Sequence, residues 1–76
     1  MQPNFNLLPP SGKKLKILEH MSGGMQYEQI AGIIFLSDLT IKSYVRDMKK
    51  KYDCETATGL VCLAIAQNWI KNLVKE

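Results

Sequence analysis

Residues 29–46 restrict the possible folds of this chain more than any other stretch. Gln29-Ile30-Ala31 belongs to one short apolar segment. Phe35-Leu36-Ser37 follows, and Leu39-Thr40-Ile41-Lys42-Ser43-Tyr44-Val45-Arg46 opens a second segment. Both repeat their apolar residues at helical spacing, and the few residues between them leave room only for a tight turn. At about 100° per residue, Ile41, Val45, Met48 and Tyr52 share one stripe of the second segment. Lys42, Arg46, Lys49 and Lys50 share another, flanked by Leu39 and Ser43. A helix with two such faces docks on a small core and turns cations outward. Ala31 and Ile41 set the crossing of the two helices: the small residue permits close approach, and the branched one fills the gap. This is the separation of a helix-turn-helix.

The rest of the chain supplies two more helices. Residues 1–10 read as an extended arm, because Pro3, Pro9 and Pro10 forbid a helix there. Phe5, Leu7 and Leu8 are expected to pack on the domain surface. Ser11 is the expected cap of a first helix that runs to about Ser22 with Leu15, Ile17, Leu18 and Met21 at helical spacing. Gly23-Gly24 ends it, since glycine accepts the left-handed conformation. The second helix is expected over 26–34, with Ile30, Ile33 and Ile34 inward. Phe35-Leu36 makes the turn, and Ser37 caps a third helix ending near Tyr52, with Asp38 suited to its first turn. Thr56 caps a fourth helix over about 57–74. The expected fold is all-α: a four-helix helix-turn-helix domain over 11–76 behind a short N-terminal arm over 1–10.

With 76 residues the chain suits one domain, and so short a chain builds only a marginal core. Its formal charge of +3 is mildly basic, and the distribution of that charge is more telling than its sum. Cys54 and Cys62 form no CxxC pair, and His20, the single histidine, lies far from both in sequence. A structural zinc site takes about four such ligands, so no metal and no cofactor is expected. No catalytic constellation stands out either: there is no Ser-His-Asp set, carboxylate dyad or phosphate loop. The start of the chain lacks the apolar core of a signal peptide, and no apolar run approaches the ~20 residues that span a membrane. The expected setting is the cytoplasm, with free thiols.

The basic face of the third helix has two readings. It is either a solvated surface or a nucleic-acid face, and the helix-turn-helix separation favours the second. In such proteins the first turns of the reading helix reach base edges and later cations lie nearer phosphates. Leu39, Lys42, Ser43 and Arg46 hold the first set of positions; Lys49, Lys50 and Lys51 hold the second. Arg46 and Lys42 suit guanine O6 and N7, and Leu39 suits a thymine methyl unless it is simply a surface leucine. Tyr27 either reaches a phosphate oxygen or packs. Lys13, Lys14 and Lys16 form a second basic cluster, read as a solubilising surface or as extra phosphate contacts.

The stretch from Ser11 to Ile70 resembles the DNA-binding domain of the LuxR/GerE family of bacterial transcription regulators. The resemblance rests on Gln29-Ile30-Ala31, on the run from Phe35 to Val45, on Met48, Lys51-Tyr52 and Cys54, and on Thr58-Gly59-Leu60-Val61. It implies a homodimer on double-stranded DNA, with the third helix in the major groove and the fourth at the dimer contact. It places base reading on Lys42, Ser43 and Arg46, and backbone contacts near Gln26, Ser37, Thr40, Lys50 and Lys51. Several residues depart from the family pattern. Lysines at 13, 14 and 16 stand where acids are expected, Gln26 replaces a capping hydroxyl, Tyr44 a histidine and Asp53 a glycine. The resemblance fits either a stand-alone regulator or a domain cut from a longer one.

The fourth helix has two apolar stripes. Leu60, Leu63, Ala66, Ile70, Leu73 and Val74 are expected to face the core, and Val61, Cys62, Ile65 and Trp69 form the other. The second stripe is covered either by the arm, through Phe5 and Leu8, or by a second copy of the chain; two-fold pairing is the commoner solution. Cys62 there reads as a small packing residue. The remaining alternative to DNA binding is a protein-interaction module that binds RNA polymerase or another regulator.

Overall fold

Four helices carry the fold in a computed structural model that describes residues 7–10 and 12–71: α1 (Lys13–Ser22), α2 (Tyr27–Ile34), α3 (Asp38–Lys51) and α4 (Ala57–Ala66). No strand occurs among the described residues. The all-α, four-helix reading therefore holds.

Local chemistry sets the helix ends. Ser37 caps α3, its side chain accepting a hydrogen bond from the Thr40 N–H at 3.1 Å, and Thr56 caps α4 by accepting from the Gly59 N–H at 2.9 Å. Gln26 precedes α2, and its N–H donates to the Gln29 side-chain oxygen at 2.9 Å, the return bond of a capping box. The amide pair thus replaces the missing hydroxyl. Gly12, with φ 61°, occupies the cap position of α1 and makes no side-chain cap bond; the expected cap Ser11 lies outside the described residues.

Three helices end in the same way. Beyond α1, the Met25 N–H donates to the His20 carbonyl and the Gly24 N–H to Met21. Beyond α3, Cys54 donates to Lys49 and Asp53 to Lys50; beyond α4, Trp69 donates to Ala64 and Asn68 to Ile65. These are Schellman pairs, which need a left-handed residue just past the helix. Gly24, Asp53 and Asn68 supply it, with φ of 89°, 58° and 63°. Asp53 therefore does the work of the glycine it replaces.

The core is formed by Ile17 and Leu18 of α1, Ile30 and Ala31 of α2, Ile41, Val45 and Met48 of α3, Leu60 and Ala64 of α4, and Ile70. Ala31 and Ile41 are both buried in the core to which α2 and α3 contribute. Three expectations are corrected. Ile33 is 46% exposed, because Ile34 lies between Ile30 and Ala31 on the helical wheel and Ile33 falls outside that arc. Helix α4 stops at Ala66, since left-handed Asn68 turns the chain; Leu73 and Val74 lie outside the described residues. The inward arc of α4 is Leu60 and Ala64, while Leu63 is half-buried and Ala66 exposed. That rotation brings Val61 and Ile65 partly into the packing, so the two stripes do not separate cleanly.

The arm also docks differently from expectation. Pro10 is buried, and the Tyr52 hydroxyl donates to the Leu8 carbonyl at 2.8 Å. The Leu8 side chain is 81% exposed, so its backbone, not its apolar group, is held. Phe5 lies outside the described residues.

Candidate nucleic-acid interface

Helix α3 presents the site because its sequence divides it into two faces. Ile41, Val45 and Met48 are essentially fully buried, which fixes the roll of the helix on the core. Lys42, Arg46 and Lys50 are then exposed, and Leu39 at the same face is 76% exposed. Ser43 is half-buried, and its hydroxyl accepts a long hydrogen bond from Arg46 Nη2 at 3.4 Å. The structure brings all four expected base-facing residues, Leu39, Lys42, Ser43 and Arg46, onto the outward side of one helix.

The residues expected at phosphates surround this face. Ser37 and Thr40 mark the start of α3, their hydroxyls 3.0 Å apart. Gln26 is exposed at the start of α2, while Tyr27, the first residue of that helix, is half-buried against the core. Lys49, Lys50 and Lys51 occupy the last turn of α3, where cations also suit the negative end of the helix dipole. Lys49 is half-buried, Lys50 and Lys51 are exposed, and Lys51 Nζ lies 5.5 Å from the centre of the Tyr52 ring.

Charge on this ridge is not cancelled internally. Among the described residues the one ion pair is Lys16–Glu19, at 3.7 Å on α1. No described carboxylate holds any of the α3 cations, so their charge is available to an anionic partner. No cluster of metal-ligating side chains occurs among the described residues. No helix there is long and apolar enough to cross a membrane.

The second apolar stripe expected on the fourth helix is divided. Cys62 is exposed, Val61 and Ile65 are half-buried, and Trp69 packs on Tyr52 with ring centres 4.9 Å apart. Val61 and Ile65 also line an open cavity of about 560 Å³ with Met21, Met25 and Tyr27. Burial pushes the Cys54 thiol up, and the Asp53 carboxylate adds to that shift; both cysteines are free.

One contact escaped the sequence reading. Lys14 Nζ of α1 lies 5.6 Å from the centre of the Tyr44 ring on α3, within cation–π range. No local pattern signals a pair so far apart in the chain; only the helix packing creates it.

A comparison with curated proteins and with solved structures returns no match. The profile of the family described as GerE, bacterial regulatory proteins, luxR family, matches residues 11–64. That span contains α1, α2, α3 and most of α4. The chain thus belongs to the luxR family of bacterial regulatory proteins and carries their DNA-binding helix-turn-helix domain.

Proposed function

We propose that this protein is a sequence-specific transcription regulator that binds double-stranded DNA as a homodimer, with α3 in the major groove. The observation that carries the reading is the pairing of a fully buried inner face of α3 with an outer face of unneutralised cations. Leu39, Lys42, Ser43 and Arg46 then meet base edges. Gln26, Tyr27, Ser37, Thr40, Lys49, Lys50 and Lys51 lie toward the phosphates on either side. Dimer contact runs through α4 and its neighbours, with exposed Cys62 at the surface, Val61 and Ile65 beside it, and Trp69 at the edge. A dimer sets two reading helices about one turn of DNA apart and selects palindromic sites. The proposed setting is the cytoplasm, and no chemistry is performed on the DNA.

Selection of bound sequences from a random duplex pool tests this reading. The expected result is an enriched site with two-fold symmetry. A pool that stays random after repeated rounds would sink it.

Exposed Ile33, Phe35 and Leu39 favour a second reading. These apolar side chains at and around the turn between α2 and α3 suit a protein surface such as RNA polymerase or another regulator. Retention on non-specific duplex across a salt series separates the two. A DNA-binding chain is retained at low salt and released steeply as salt rises; a chain that recognises only protein is never retained.

A further inference from the structure

We infer that the first turn of α1 is a second phosphate-binding surface, through which Lys14, with Lys13 beside it, contacts the DNA backbone beyond the groove that α3 reads. The inference rests on the DNA-binding reading and extends it to an element outside the helix-turn-helix.

Three observations carry it. The first is placement. Lys14 sits over the Tyr44 ring at 5.6 Å, so the start of α1 lies against one flank of α3. The second is continuity. Lys14 also lines a small cleft of about 140 Å³ together with Lys51 and Tyr52. Lys14 and the last turn of α3 thus share one basic strip. The third is availability. Lys13 is exposed, and Asp47 is the one acid among the described residues that line the cleft.

Groove dimensions say what meets the strip. A helix is about 10–12 Å across with its side chains, and the major groove is about 12 Å wide. A helix seated there fills the groove, and each of its flanks faces a wall of phosphates. On the flank shared by Tyr44 and Lys51, Lys14 of α1 is the further cation that lines the same cleft. The ligand is the phosphodiester backbone itself, recognised by charge and without regard to sequence.

The test is the salt dependence of binding by the full chain to a pool-selected duplex. Removing one cation from a phosphate lowers the slope of log K against log salt by about 0.9. Lys14→Gln is expected to lower the slope by about that amount, the combined Lys13→Gln and Lys14→Gln variant by more, and Lys14→Arg to restore it. Base preference stays unchanged throughout. Lys71→Gln removes an exposed lysine that does not line the cleft and is expected to leave the slope alone. An equal drop for Lys71→Gln would show a net-charge effect and overturn the inference. So would unchanged slopes for the α1 variants while Arg46→Ala still loses specific binding, an outcome that leaves the DNA-binding reading intact. A parent chain that binds no duplex at low salt overturns both.

Discussion

Among the described residues three non-glycine residues take left-handed backbone, and they differ in what that costs. Asp53 and Asn68 belong to the side-chain types that tolerate it, because a short polar group bonds locally. Phe35, at φ 59°, does not, and its ring is 89% exposed, so burial returns little. A left-handed L-residue costs about 1–2 kcal/mol, and glycine loses about 0.5–1 kcal/mol of that advantage to the flexibility of its unfolded chain. Phe35→Gly is therefore expected to raise stability by about 1 kcal/mol in urea unfolding, and Asn68→Gly by less. Destabilisation by Phe35→Gly would mean that the ring contributes packing after all. The cysteines separate on the same scale: Cys62 is exposed, whereas Cys54 is half-buried with its thiol pushed up. In a dilute, unpaired chain, thiol alkylation at neutral pH should mark Cys62 first, and a second copy seated on α4 should slow it; faster labelling of Cys54 in the unpaired chain would contradict its environment.

Helix starts were more legible than helix ends. Ser37 and Thr56 stand where their hydroxyls meet the N–H three residues on, and both cap as expected. Thr56→Ala is expected to cost about 1 kcal/mol in thermal or urea unfolding, and no change would show that water satisfies the Gly59 N–H as well. The end of α4 was not legible, because apolar residues continue through Trp69 and Ile70 at helical spacing. Periodicity does not register a single left-handed residue such as Asn68, and that residue sends Trp69 back onto Tyr52. Tyr52 in turn holds the arm by donating to the Leu8 carbonyl, and burial pushes its phenol up from 10.0. A group whose folded pKa is raised contributes below its unfolded pKa and loses the contribution as pH rises through the folded value. The arm contact should thus persist at neutral pH and release only in strong alkali, a change that Tyr52→Phe removes from the ultraviolet titration of the arm-bound phenol.

At the scale of the whole molecule, the two-faced helix α3 was legible because one helix face must be apolar to fold and the other is left to solvent or a partner. The spacing of Ala31 and Ile41 marked both residues for the core to which α2 and α3 contribute, and both are buried there. The α4 surface was less legible, since Val61 and Ile65 serve the core as well as any partner. Trp69 packs on Tyr52, so a charge at that position disturbs the fold together with any dimer. Cys62→Glu is the cleaner probe: it should lower the solution mass toward that of one chain while helicity is kept, and a parent chain already monomeric at high concentration would remove the proposed dimer. The most direct test of the α3 assignment is equilibrium binding of the pool-selected duplex by the parent, Lys42→Ala and Arg46→Ala chains at one salt concentration. Each substitution is predicted to weaken specific binding by about 1–3 kcal/mol. Equal affinity in all three would contradict the placement of α3 in the major groove.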